Sequence, residues 1–452
     1  MDIVICGAGK VGEVLSRDLS RENHGVVIIE KNEKRLNQVI ELADVSGVVG
    51  SGSLLDIQRQ AGVDLCDIFI AVTPDDETNI IAAITARKIG ARHVIARVRN
   101  PEYSLQMDFL RESLGITMLI NPDLEAAREI ERMLTFPAAL GVETFGHGRV
   151  VMVETEVHED CPYLGKSLKE IGRQNGHILI AMVERGEQLF IPRGDYVPAV
   201  GDRMFVTGRP SEIREFCATD RDPERHPKTV LIIAGSRVTR YLLPRLSRNK
   251  MRAKVIEKDE NIADQLAAEF PDVEVIAADG TDQAVLREER LPNYDAVVAL
   301  TGIDEENMLI SLYAAQEGVK KTITKVNRTS LLNVIHNAGL QAIVTPNALV
   351  ADQIIRFIRS MENTDGSNVE AFFRLAPGRA EALQFKVAVD SPVCNEPLHS
   401  LPLKKGLLVL CMLRGADIIF PEGGDTILPG DDVIVVTTHP NFQDISDILE
   451  KK

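Results

Sequence analysis

Asp2-Ile3-Val4-Ile5-Cys6-Gly7-Ala8-Gly9-Lys10-Val11-Gly12 runs a short apolar strand straight into a glycine-rich turn, after which Val14, Leu15 and Leu19 recur at helical spacing. A second apolar run over 26–29 then ends on Glu30. The pattern predicts strand, helix, strand. In that context the three glycines have separate tasks: Gly7 permits the tight turn, Gly9 lets a pyrophosphate approach the backbone, and Gly12 lets helix and strand pack closely. Ala8, Lys10 and Val11 complete the loop, and the helix start supplies free N–H groups with a partial positive charge. Glu30 stands where its carboxylate can accept both ribose hydroxyls of an adenosine. An acid there repels a 2′-phosphate, so NAD(H) is favoured over NADP(H) although Lys31 follows; the bland alternative is a purely structural turn.

The alternation continues with strands expected over 45–49, 68–72 and 93–98 and amphipathic stretches over 54–60 and 78–89. Strands apolar on both faces imply a parallel sheet covered by helices. Ligands of such sheets bind at the carboxyl ends of the strands, which singles out three further places. Ser51, within Gly50-Ser51-Gly52-Ser53, is placed to flank an adenine, or the stretch is a turn ending in a Ser53 helix cap. Thr73 and Pro74 face the phosphates or the second ribose, unless Pro74 only starts the next turn. Arg97 is placed to neutralise a phosphate, or it pairs with Asp75 or Asp76; Arg99, on the same face, is its understudy.

The chain then repeats itself. Glu30-Lys31-Asn32-Glu33 returns as Glu257-Lys258-Asp259-Glu260, and Asp76-Glu77-Thr78-Asn79 as Asp304-Glu305-Glu306-Asn307, a shift of about 228 residues. A unit that long is a domain pair. Between the copies, β-rich segments split by Gly and Pro form a small α+β unit with a helix expected over 164–171, and 219–228 reads as a polar linker. Ile191-Pro192-Arg193-Gly194-Asp195 returns as Phe420-Pro421-Glu422-Gly423-Gly424-Asp425. The expected fold is α/β: two Rossmann-like doubly wound parallel-sheet domains, 1–123 and 229–348, each followed by a small α+β domain, 143–219 and 369–452. The second glycine loop, Ala234-Gly235-Ser236-Arg237-Val238-Thr239, has Ser236 for Gly9 and Thr239 for Gly12, whose side chain is expected to obstruct close packing. Gly235, Glu257 and Lys325, the match to Arg97, remain candidates for a smaller adenine nucleotide, and Arg237 offers a charge to a phosphate.

Composition excludes several classes. A net charge of −16 on 452 residues disfavours binding to nucleic acid and direct insertion into anionic lipid. No run approaches the roughly 18–20 apolar residues of a membrane helix. The N-terminus enters a strand directly, without a basic and apolar leader, so a cytoplasmic chain is expected. The six cysteines are scattered without metal spacing and are expected to be reduced. A dehydrogenase would need a proton relay facing the nicotinamide. His147, His158 and His177 of the small unit form no recognisable pair with an acid, so no catalytic residue and no metal ligand is assigned.

Gly7 to Gly12, Glu30, Ala71-Val72-Thr73 with Asp76 to Asn79, Ala96-Arg97-Val98-Arg99-Asn100-Pro101-Glu102-Tyr103 and the duplicated pairing of large and small domains carry a resemblance. Over nearly its whole length the chain resembles the TrkA family, cytoplasmic regulatory subunits of bacterial Trk potassium uptake systems built from tandem RCK domains. The resemblance implies binding of NAD(H), and also of ATP or ADP, in the large domains. It further implies a homo-oligomeric ring beneath a membrane-embedded potassium-translocating Trk subunit, attached peripherally through that partner, and a regulator rather than an enzyme. The competing reading is an NAD-dependent oxidoreductase with an unrecognised substrate; a redox-sensing transcription factor is disfavoured by charge.

Overall fold

A computed structural model of the chain describes residues 1–104, 111, 113–136, 139–146, 148–174, 178–186, 188–219, 227–328, 339–340, 342–362, 369–375, 379–439, 442 and 444–450. His147, His177 and most of the expected linker, 220–226, lie outside the described residues. The chain forms two compact units, residues 1–131 with 227–355 and residues 132–226 with 356–452.

The first unit holds two parallel sheets. In the first sheet β1 (Asp2–Cys6) leads through α1 (Lys10–Arg21) to β2 (Gly25–Glu30), and α2 (Glu33–Leu42) leads to β3 (Ser46–Val49). Then α3 (Leu55–Gln60), β4 (Ile68–Ala71), α4 (Asp76–Ile89), β5 (His93–Arg97) and β6 (Met118–Ile120) follow. The order β3-β2-β1-β4-β5-β6 reverses direction between β1 and β4, the crevice where open parallel sheets bind ligands. All four residues of β4 are buried, as a strand covered on both faces requires. The strands Thr229–Ile233, Arg252–Glu257, Glu274–Ala277, Ala296–Ala299, Lys321–Lys325 and Ile343–Val344 repeat the same order. Val11, Gly12, Leu15, Ser16 and Leu19 of α1 match Val238, Thr239, Leu242, Leu243 and Leu246 of the helix Arg237–Arg248 as the buried face.

Two elements escape the sequence reading for physical reasons. The strand β6 has three residues, too few for a period to show, and is fixed by pairing with β5. On α2 only Leu36 and Val39 are buried, so its apolar stripe is faint, although Asn32 caps it by accepting the Arg35 N–H at 3.1 Å.

The second unit holds two antiparallel five-stranded sheets of matching topology. The expected helix over 164–171 starts later, at Leu168, because Ser167 and Glu170 make reciprocal side-chain to backbone bonds that set its first turn. The two sheets share one apolar cluster, in which Phe145 meets Phe373 edge to face at 4.5 Å. Each has a Gly-Asp corner: Asp202 accepts both a bidentate Arg185 (2.6 and 2.8 Å) and the Ala199 N–H (2.9 Å), and Asp431 repeats this with Arg414 and the Leu428 N–H. Burial pushes the Asp202 carboxyl up, but the bonds from Arg185, Ala199 and Tyr196 outweigh it and hold it below the ordinary range. A depressed folded pKa stabilises above the unfolded value, near 3.9, and that contribution is lost as pH falls through the folded one. Asp202→Asn should therefore cost about 2 kcal/mol at pH 7, discounted because Arg185 is half exposed, and less at pH 3. Urea unfolding at the two pH values checks this; an equal loss at both would contradict it.

Candidate functional site

The first crevice is built from the carboxyl ends of β1, β2, β4 and β5. Gly7 sits at φ +111°, a left-handed value that an L side chain rarely adopts, and a Cβ there would press on the Val72 and Thr73 backbone at 3.1 Å. A Cβ at Gly12 would overlap the Gly7 carbonyl oxygen, so α1 rests against the turn. At Gly9 the situation is opposite: a Cβ would meet nothing within 4 Å, and Gly9 caps α1 without any side-chain hydrogen bond. No side chain therefore caps the orphan N–H groups at the start of α1, and the space beside the Gly9 Cα is open. Glu30 fixes the turn from the other side, its two carboxylate oxygens accepting the Ala8 N–H at 2.8 Å and the Asn32 N–H at 2.9 Å. A carboxylate has about four acceptor positions, so roughly two remain for ribose hydroxyls.

Asn79, which the sequence reading quotes only as part of the repeat, organises the ends of β4 and β5. Its fully buried amide accepts the Thr73 N–H (2.8 Å) and hydroxyl (2.7 Å) and donates to the Thr73 and Arg97 carbonyls, both at 3.0 Å. Asn307 repeats the arrangement between Thr301 and Lys325. The recurring Asp-x-x-Asn was the available signal. Arg97 is buried, donates to the Thr73 carbonyl and leaves Nε without a hydrogen-bond partner. Burial and then the charge of Arg99 push its pKa down to about 10. The expected alternative, an ion pair of Arg97 with Asp75 or Asp76, is not made: Asp75 caps α4 through the Thr78 N–H, and Asp76 pairs with Arg99 at 3.7 Å. Pro74 offers its carbonyl to the Arg99 guanidinium. Ser51 and Ser53 bond each other at 2.9 Å, and the N-cap of α3 is Leu54, with no side-chain cap bond, so Ser53 is not a cap. Cys6, beneath the loop, is pushed up to about 12 by burial and is an inert thiol.

The second crevice keeps the frame and closes the opening. Ala234 holds the turn at φ +86°, and Glu257 accepts the Gly235 and Asp259 N–H groups at 2.5 and 2.8 Å. Thr239 does not obstruct packing as expected, because its hydroxyl turns to donate to the Ala234 carbonyl at 2.6 Å. The Ser236 side chain caps the helix by accepting the Thr239 N–H. Gly235 lies under Leu266, whose methyl a Cβ would overlap. Burial pushes the Lys325 pKa down, and its ammonium donates to the Leu300 carbonyl at 3.0 Å.

Between the copies, Arg237, Tyr241 and Arg245, spaced one helical turn apart, reach Asp123 (2.9 Å), Asn121 (2.8 Å) and Glu131 (2.6 Å). A cavity of about 400 Å³ joins Pro74, Asp76 and Arg99 to Arg237 and Arg240, and one of about 250 Å³ joins Lys10, Val14 and Arg17 to Asn327, Arg328 and Asn347. Among the described residues no group of His, Cys, Asp and Glu could hold a metal, and no helix is long and apolar enough to cross a membrane.

Two family models match the chain: the TrkA-N domain over residues 3–122 and 230–346, and the TrkA-C domain over 152–219 and 382–450. The chain belongs to the TrkA family. It is 31% identical over 449 residues to a Trk system potassium uptake protein TrkA homolog of Archaeoglobus fulgidus, covering 99% of this chain and 100% of that one. It is 26% identical to the Trk system potassium uptake protein TrkA of Vibrio alginolyticus, covering 99% and 98%. Among solved structures, the fold matches the GsuK RCK domain with TM-score 0.64 at 18% identity, over 96% of this chain and 92% of that one. The GsuK channel bound to NAD matches with TM-score 0.62 at 19% identity, over 96% and 76%.

The Asn79 network carries a prediction about the family fold itself. Asn79→Leu strips four hydrogen bonds from a buried junction and should destabilise the chain by about 2–4 kcal/mol, measured by denaturant unfolding. A loss under about 1 kcal/mol would show that the strand ends hold without it.

Proposed function

We propose that the chain is a nucleotide-binding regulatory subunit that gates a membrane potassium uptake transporter, with the first crevice as its NAD(H) site and ATP or ADP as further ligands. The observation that carries this is the start of α1 at Gly9, which has no side-chain cap and open space beside the Gly9 Cα, near a Glu30 carboxylate already held in place. The names of the relatives support the transport role, and the NAD-bound GsuK channel supports the ligand class.

In this reading the loop Gly7, Ala8, Gly9, Lys10, Val11 and Gly12 surrounds the pyrophosphate, with the N–H groups of Gly9 to Gly12 as donors because those of Gly7 and Ala8 are held by the Ile29 carbonyl and the Glu30 carboxylate, and Glu30 takes the ribose hydroxyls. Ser51 borders the adenine, Thr73 and Pro74 border the second half of the dinucleotide, and the buried Arg97 contributes charge toward a phosphate. What the bound nucleotide supplies is a difference in affinity between two shapes of the chain, which alone sets how far the equilibrium moves. The chain acts as a regulator and not as a catalyst. It assembles as a ring on the cytoplasmic side of the potassium-translocating subunit and is peripheral to the membrane.

Glu30→Gln removes the charge that draws the ribose hydroxyls, so NADH affinity should fall by about 1.5–3 kcal/mol in calorimetric titration. Gly9→Ala should weaken NADH binding far more than Ser236→Ala does, because a methyl at Gly9 enters the open space. Equal losses would show that the loops share the ligand. Copurification in detergent checks the partner: a potassium-translocating membrane subunit should travel with the chain, and its absence under conditions that preserve membrane complexes contradicts the regulatory reading.

A further inference from the structure

Asp123 and Asn347 occupy pseudo-equivalent places. Each follows a proline at the start of the helix after the sixth strand of its sheet, Pro122–Thr135 and Pro346–Glu362. Each also faces the glycine loop of the other copy. The Asp123 carboxylate accepts the Arg237 guanidinium at 2.9 Å, whereas Asn347 lines the cavity that contains Lys10. Lys10 and Arg237 are the first residues of equivalent helices. From the other copy, the second loop thus receives an anion and the first a neutral amide, while Lys10 has Glu13 of its own helix at 4.0 Å.

The influence of Asp123 extends past Arg237. Its negative charge also acts on Lys325, working against the burial that lowers the pKa of that lysine. Arg237 at the helix start and Lys325 at the end of the fifth strand are the cations a phosphate would meet in this crevice, and the Asp123 charge acts on both, although it also reaches Arg97 of the first copy and Asp304 acts on Lys325 as well. The Asp123 side chain is only 18% exposed, so solvent screens it less than a surface acid. With Ser236 capping the same helix, the polar groups of this loop are answered from within the chain.

We propose that the second crevice is an anion site whose resident anion is the chain's own Asp123 carboxylate, leaving one phosphate-bearing nucleotide per chain, in the first crevice. The count of one, though not the role of Asp123, rests on the nucleotide reading of the first crevice. An incoming phosphate must displace a tethered carboxylate whose effective concentration is high. The first loop has Asn347 in the equivalent place, and the carboxylate nearest Lys10 is Glu13 of its own helix, at the longer distance of 4.0 Å.

Calorimetric titration of the full chain with ADP tests this. The wild type takes one ADP, and Asp123→Asn, which keeps shape and removes charge, takes a second; Asp123→Glu keeps the count at one. Adding Lys325→Met to Asp123→Asn removes the second ADP and leaves the first. A wild-type chain that takes two, or an Asp123→Asn chain with an unchanged melting midpoint that still takes one, overturns the proposal. A reciprocal variant, Asn347→Asp, is independent of how Asp123 variants fold. It places a carboxylate beside Lys10 and should weaken the first site at least about tenfold, since a like charge now opposes the phosphate; unchanged affinity overturns the proposal. If the wild type binds no ADP and Asp123→Asn binds one, the role of Asp123 stands and the nucleotide reading of the first crevice fails.

Discussion

The first N–H groups of a helix have no partners inside it, and the two halves of this chain meet that constraint in opposite ways. At α1 the cap is Gly9, which brings no side chain to the donors and leaves the space beside its Cα open. At the helix Arg237–Arg248 the cap is Ser236, whose hydroxyl accepts the Thr239 N–H. Everything else about the loops is shared: the left-handed turn residue, the carboxylate at the end of the second strand, and the bond from that carboxylate to the loop N–H. One copy therefore leaves its helix start without a side-chain cap, and the other caps the matching helix with its own hydroxyl.

A duplicated frame of this kind suits regulation. Asn79 and Asn307 lock the fourth and fifth strand ends in both copies, so each crevice has a rigid floor. The copies are joined along one helix face through Arg237, Tyr241 and Arg245. On the reciprocal side Val14 stands where the second copy has Tyr241, and a cavity takes the place of that hydroxyl contact.

Much of the frame was legible because it rests on patterns with a mechanism. The run from Asp2 to Gly12, its distance to Glu30 and the return of Glu257 identify the parallel sheets and their duplication, and the Gly-Asp pairs at 201 and 430 mark the corners of the small sheets. What stayed hidden depends on contacts between distant residues. Nothing local in Thr239 says that its hydroxyl will bond the loop carbonyl instead of obstructing the helix. The preference of Asp76 for Arg99 over Arg97 is set by strand register and burial. The bond of Asp123 to Arg237, more than a hundred residues on, emerges only from the packing of the copies.

The most direct test of the regulatory claim joins binding to transport. The chain is reconstituted with its potassium-translocating subunit in vesicles, and flux is followed across an NADH titration beside calorimetry of the same preparation. The account predicts that flux changes with a midpoint equal to the binding midpoint, that occupancy shifts the gating equilibrium by about 1–3 kcal/mol, and that Glu30→Gln moves both midpoints by the same factor. Flux that stays flat while NADH saturates the chain, or a flux midpoint that ignores Glu30→Gln, would contradict it.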